Sequence, residues 1–156
     1  MNKEIQSIIR NLQNTLNGEP WFGRALYPIM EEVDTSKVYT KPNGTEHSLI
    51  ELIYHMITWA RFCLLQLKNA SPGELKETEG LDWREINPKT HTWQKGMAEL
   101  KEIHKGIISI LETKNDELLA QIVPGRKFNH RFMLNGLIQH NIYHLGQIAY
   151  IKKLLS

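Results

Sequence analysis

Two histidines stand four residues apart in the stretch Gly136-Leu-Ile-Gln-His140-Asn-Ile-Tyr-His144, and on a helix they project one above the other from the same face. Imidazoles so placed can ligate one metal ion. The spacing by itself is weak evidence, because seven His in 156 residues give about 0.3 such pairs per chain by chance. The company of the pair gives it weight. Met133, Leu137, His140, His144, Ile148, Ile151 and Leu155 form one stripe, so both rings belong to the face that a helix turns toward a core. Burying a hydrogen-bonding group without compensation costs about 1–3 kcal/mol, so the two rings need hydrogen bonds or a metal ion.

A second ladder, Ser48, Leu52, His55, Trp59, Phe62 and Gln66, puts a third histidine in the middle of another inward stripe. Three facing histidines outline a metal site. Three neutral imidazoles leave a divalent ion with at least one open position, which is the arrangement of catalytic rather than closed structural sites. Zinc, nickel and iron all accept imidazole, and three histidines do not choose among them. Since an imidazole must be neutral to ligate, occupancy is expected to fall below about pH 6.

The remaining side chains of this kind read differently. His104 lies on the margin of its stripe and reads as structural or solvent-facing. His47 sits just before a helix cap, too far along the chain from His55 to share an ion on helix geometry. His91 and His130 stand at helix starts and are expected to be exposed. Met56, Trp59, Trp93 and Met97 at helical spacing read as core. Cys63, the one cysteine, has no intrachain disulfide partner and reads as inert packing rather than a nucleophile.

Positioning these residues takes long helices, and the apolar periodicity predicts four. The first covers Asn2 to about Leu16, with Ile5, Ile8, Ile9, Leu12 and Leu16 on one stripe, and a shorter helical stretch follows over about 22–33. The second runs over about 48–69 and opens with Ser48 and Glu51 at capping-box spacing. The third covers about 90–114. The fourth covers about 130–154, entered after Pro124-Gly125 and ending with Lys152 and Lys153, where cations suit the helix dipole. Connections at about 34–47, 70–89 and 115–129 are long enough for crossovers. The expected fold is all-α: one domain over 1–156, a four-helix bundle with long crossover connections, whose interior is a common place for metal and ligand sites.

Composition limits the function classes. With 41% apolar and 23% charged residues the chain has the balance of a soluble globular protein. Nineteen Lys/Arg against seventeen Asp/Glu, alternating along the chain, leave no basic block for nucleic acid. No apolar run approaches a membrane span; the strongest, Leu52 to Leu67, is broken by His55, Arg61 and Gln66. The first residues carry Lys3, Glu4 and Arg10 and read as a helix rather than a signal peptide, so a cytoplasmic location is expected.

Four segments together, Gly18-Glu-Pro-Trp-Phe-Gly23, His47-Ser-Leu-Ile-Glu-Leu-Ile-Tyr-His55-x-x-x-Trp59, Asp82-Trp83 and Gly136-Leu-Ile-Gln-His140-Asn-Ile-Tyr-His144-x-Gly-Gln147, carry a resemblance that spans nearly the whole chain. In them the sequence resembles the DinB-like family of bacterial four-helix proteins, also called YfiT-like metal-dependent hydrolases. The resemblance implies an up-down-down-up bundle and a metal held by His55, His140 and His144. Its members include thiol S-transferases that use bacillithiol or mycothiol with a divalent metal, and a mycothiol-dependent isomerase.

The expected activity is that of a metal-dependent enzyme acting on a small-molecule substrate. Thiol-dependent S-transferase-like chemistry on an electrophile, with a low-molecular-weight thiol as second cofactor, comes first, and hydrolysis of a small substrate comes second. A pocket is expected between the second and fourth helices and the 70–89 crossover. Asp82 and Glu51 are candidates to steady a ligand or move a proton, Glu51 alongside its capping role. A competing reading is a non-enzymatic, metal-stabilised bundle of the stress response that binds a ligand or a partner. A homodimer is suggested by Ile50, Ile53, Ile57 and Leu64, which lie away from the His55 stripe, a pattern that a central buried helix produces equally well. DNA binding, suggested only by the family's historical label, lacks a basic patch.

Overall fold

A computed structural model describes residues 2–156, and among them the chain is all-helical, with no strand. Seven α-helices follow in order: α1 Lys3–Asn17, α2 Leu26–Glu31, α3 Leu49–Leu67, α4 Pro72–Glu79, α5 Trp93–Glu112, α6 Glu117–Ala120 and α7 His130–Leu155. The four long ones, α1, α3, α5 and α7, stand where the periodicity predicts them. The stretch expected over 22–33 is helical only from Leu26, because Gly23 adopts φ 144°, a backbone region that favours glycine and interrupts a helix.

All three long connections carry helical structure of their own: a 3-10 turn at Thr35–Lys37 in the first, and α4 and α6 in the other two. In the 70–89 crossover, Ser71 caps α4 and Glu74 completes a capping box, with Pro72 at the first helical position. Proline suits that position because its missing N–H is unpaired there anyway, so Pro72 starts a helix, α3 having already ended at Leu67 with Asn69 at φ 54°. α6 lies in the 115–129 connection, which folds back through an isolated bridge between Ile122 and Asn129.

α3 packs between α5 and α7, and α1 touches both α7 and α5 from the opposite side. On α5 a Cβ added at Gly96 would lie 3.2–3.3 Å from side-chain atoms of Ile53 and Tyr54, so this glycine admits the close approach of α3. Ile50, Ile53 and Ile57 are fully buried. Those three residues therefore offer no surface to a second copy, while Leu64 is half-buried. No helix among the described residues is long and apolar enough to cross a membrane.

Candidate metal centre

Register on α3 and α7 sets the site. Ser48 and Glu51 form the expected capping box, and the Asn129 side chain caps α7 by accepting the Phe132 N–H. From these starts His55 falls in the middle of α3 and His140 and His144 on successive turns of α7, facing it. The Nε2 atom of His140 lies 3.0 Å from Nε2 of His55 and 3.0 Å from Nε2 of His144. Each ring offers one ligand atom, and the three atoms all lie within 4.8 Å of one another. His55 and His144 are buried and His140 is half-buried.

The far side of two rings is anchored. Nδ1–H of His55 donates to Asp82 Oδ1 at 2.5 Å, and Nδ1–H of His144 donates to Gln147 Oε1 at 2.5 Å. Those bonds fix the tautomer, so both Nε2 atoms turn lone pairs toward His140. A proton on His140 Nε2 can answer one of them and leaves the other lone pair facing nitrogen. A cation answers all three. With metal–nitrogen bonds of about 2.0–2.1 Å, two nitrogens on one ion sit about 2.9–3.4 Å apart for angles from right to tetrahedral, and the observed 3.0 Å falls in that span. The donor set fits one divalent ion. Nδ1 of His140 is buried without a partner.

Burial pushes the His140 ring down to about 3, with the two neighbouring rings adding to the effect, and burial takes His144 down to about 4. His55 is also lowered, burial outweighing the opposing pull of Asp82. All three are neutral at pH 7, the state that ligates. Burial therefore moves proton competition for the site below the pH of about 6 expected from free imidazole.

Trp83 lies face to face with both His55 and His47, each ring centroid 3.8 Å away. Its φ of 48° is in the left-handed region, uncommon for a bulky residue. His47 is not one of the three converging histidines, and it joins the site through this stack. Of the two acidic candidates the structure brings only Asp82 to the cluster. Glu51 accepts from Ser48 N and Oγ at 2.7 and 2.8 Å and pairs with Lys41, so it is held in the cap.

His104 is buried, its Nδ1 2.7 Å from the Tyr27 hydroxyl and its Nε2 3.3 Å from Asn141 Nδ2, a structural role away from the cluster. His130 overturns the expectation of exposure: the fold-back at Ile122 and Asn129 buries it, and its Nδ1 donates to the Gln121 carbonyl at 2.9 Å. His91 is half-buried and accepts the Asn87 N–H at 2.8 Å. Cys63 is buried, its thiol pushed up to about 12.

A cavity of about 270 Å³ opens beside His140, between α3, α7 and the chain around Arg126 and Phe128. Its third wall thus comes from the 115–129 connection, where the 70–89 crossover was expected. That crossover serves the opposite side of His55, delivering Asp82 and Trp83. Sequence reasoning gave no role to Trp83 or Gln147; the three-residue step from His144 to Gln147 on one helix face was the available signal for the latter.

The geometry defines an all-helical protein with a buried three-histidine cluster compatible with a metal site. The chain belongs to the DinB superfamily, whose family model matches residues 22–148, a span that holds all three histidines, Asp82 and Gln147. No curated protein matches it.

Proposed function

We propose that this protein is a metal-dependent enzyme of S-transferase-like chemistry, joining a low-molecular-weight thiol to a small electrophile. The observation that carries the reading is the convergence of three neutral Nε2 atoms, two of them aimed from behind by Asp82 and Gln147. His55, His140 and His144 would hold the ion. When bound, a divalent ion lowers the pKa of a thiol or water and so supplies a nucleophile at neutral pH.

The chain's own residues do the rest. Asp82 and Gln147 keep two rings in the ligating tautomer, and Trp83 holds the plane of His55. The cavity beside His140 admits the reaction partner on one side. Thiol transfer is favoured over hydrolysis because Asp82, the carboxylate bonded to the cluster, is committed to His55 and so is not free to take a proton from water. A thiol, with a pKa near 8.5, needs far less help than water to lose its proton. The packing order of α1, α3, α5 and α7 supports the up-down-down-up bundle as the frame. The cytoplasm, which keeps small thiols reduced, is the compartment this chemistry needs.

The test begins with metal analysis of protein purified without a nickel column, which should give about one divalent ion per chain. The double variant His140→Ala, His144→Ala should lose the ion and keep its helical content. Cellular thiols with a chlorinated aromatic electrophile, and separately esters and amides without thiol, are then offered to the wild type and to His55→Ala. Thiol-dependent turnover that disappears in the variant supports the proposal. Thiol-independent hydrolysis that disappears assigns a hydrolase instead, and an ion retained in full by the double variant rejects the site.

A further inference from the structure

The cavity beside His140 is built in an unusual way. Trp59 and Phe62 of α3 meet edge to face at 5.5 Å on one wall, and Phe128 and Phe132 lie 5.3 Å apart on the other. Phe132, at the start of α7, is 67% exposed, a large apolar ring at the edge of the cavity with no core to serve. Between the walls the lining includes Cys63, Met133, Gly136 and Leu137.

Gly136 is the second observation. It lies within α7, has no positive φ, and a Cβ added there would meet nothing within 4 Å. No close packing and no special backbone angle therefore requires glycine at this position. A glycine inside a helix is destabilising relative to alanine. What its missing side chain does leave is open space on the cavity wall. The cavity groups able to carry charge are otherwise engaged: His140 turns its Nε2 to the other two rings of the cluster, the Cys63 thiol is buried, and the Arg126 guanidinium, 4.8 Å over the Phe62 ring, is already paired with Glu79.

We infer that this cavity is a binding site for an uncharged, flat aromatic molecule, held between the Trp59/Phe62 and Phe128/Phe132 walls over Gly136. Both walls present aromatic faces and edges, the groups with which a flat aromatic ring pairs. An apolar cavity of about 150 Å³ accommodates one benzene ring, so about 270 Å³ accommodates a substituted ring or two fused rings. The assignment of this molecule as the electrophilic substrate rests on the proposed function. The binding site itself does not.

The experiment uses 1-fluoronaphthalene as probe and ¹³C-methyl methionine NMR of the full chain as readout. The Met133 methyl should shift on titration, while Met30, Met56 and Met97, buried elsewhere in the core, stay in place. Gly136→Leu should weaken binding at least tenfold by filling the space, and Gly136→Ala should do so less while melting no lower than the wild type. The anion 1-naphthoate should bind at least tenfold more weakly than the neutral probe. His55→Ala removes a ring of the cluster but none from the cavity, so it should bind the probe like the wild type. That result would keep the binding site even if no metal-dependent turnover were found. An unmoved Met133 methyl, equal binding by Gly136→Leu, or equal binding of naphthoate would overturn the inference.

Discussion

Replacing Asp82 by Ala tests whether the second contact of His55, and not only the three rings, sets the affinity of the metal centre. The bond removed is charge-assisted, Nδ1–H of His55 to Asp82 Oδ1 at 2.5 Å. Hydrogen bonds of that kind contribute about 1.5–3 kcal/mol. The Asp82 side chain is 25% exposed, so water partly replaces it and the lower half of that range applies. At 1.4 kcal/mol per decade, zinc should bind about 10–40-fold more weakly, within the range found when partners behind a metal-ligating histidine are removed. Gln147 makes the equivalent bond to His144 as a neutral amide. Its replacement by Ala should cost about 0.5–1.5 kcal/mol, or roughly 2–10-fold. Asp82→Asn keeps an acceptor oxygen and should fall near the Gln147 variant. Metal-free proteins titrated with zinc against a chromogenic chelator at pH 7.5 give the affinities, and circular dichroism checks that helical content is unchanged. Zinc affinity of Asp82→Ala within twofold of the wild type would refute the reasoning, as would an effect of Gln147→Ala larger than that of Asp82→Ala.

Buried neutral histidines make stability fall with acid: His104 is pushed down to about 3 by burial, while an unfolded histidine titrates near 6.5. The unfolded chain alone gains that proton between pH 7 and 5, so the metal-free protein should lose on the order of 2 kcal/mol at pH 5 from this residue, and urea midpoints that do not move over that interval would contradict it. Cys63→Ala should retain fold, metal and any turnover while losing about 1 kcal/mol, because the thiol is buried and pushed up to about 12; loss of turnover with metal and helicity intact would restore the nucleophile. Ser48→Ala removes the cap of α3 and should lower stability by about 1 kcal/mol in urea unfolding, and an unchanged midpoint would show that tertiary packing alone holds the helix start.

Local rules along the chain determined the four long helices, the cap at Ser48, the inward stripes and the pairing of His140 with His144. Each depends on side-chain spacing around one helix, which 3.6 residues per turn makes readable without knowing any partner. The third ligand, His55, was also legible as the centre of a stripe. That its Nε2 lies within 3.0 Å of His140 depends on how α3 and α7 pack, a distance no single-helix period contains. Resemblance marked Asp82 and Trp83, but only the turn after α4 decides that one bonds His55 and the other stacks on it, across a separation of 27 residues for the hydrogen bond. The start of α4 itself was written in Ser71 and Glu74, the same spacing as Ser48 and Glu51, and was hidden because Pro72-Gly73 reads equally as a break. The burial of His130, the neutral state of the cluster and the aromatic cavity arise from desolvation and shape, which exist only once distant segments exclude water together.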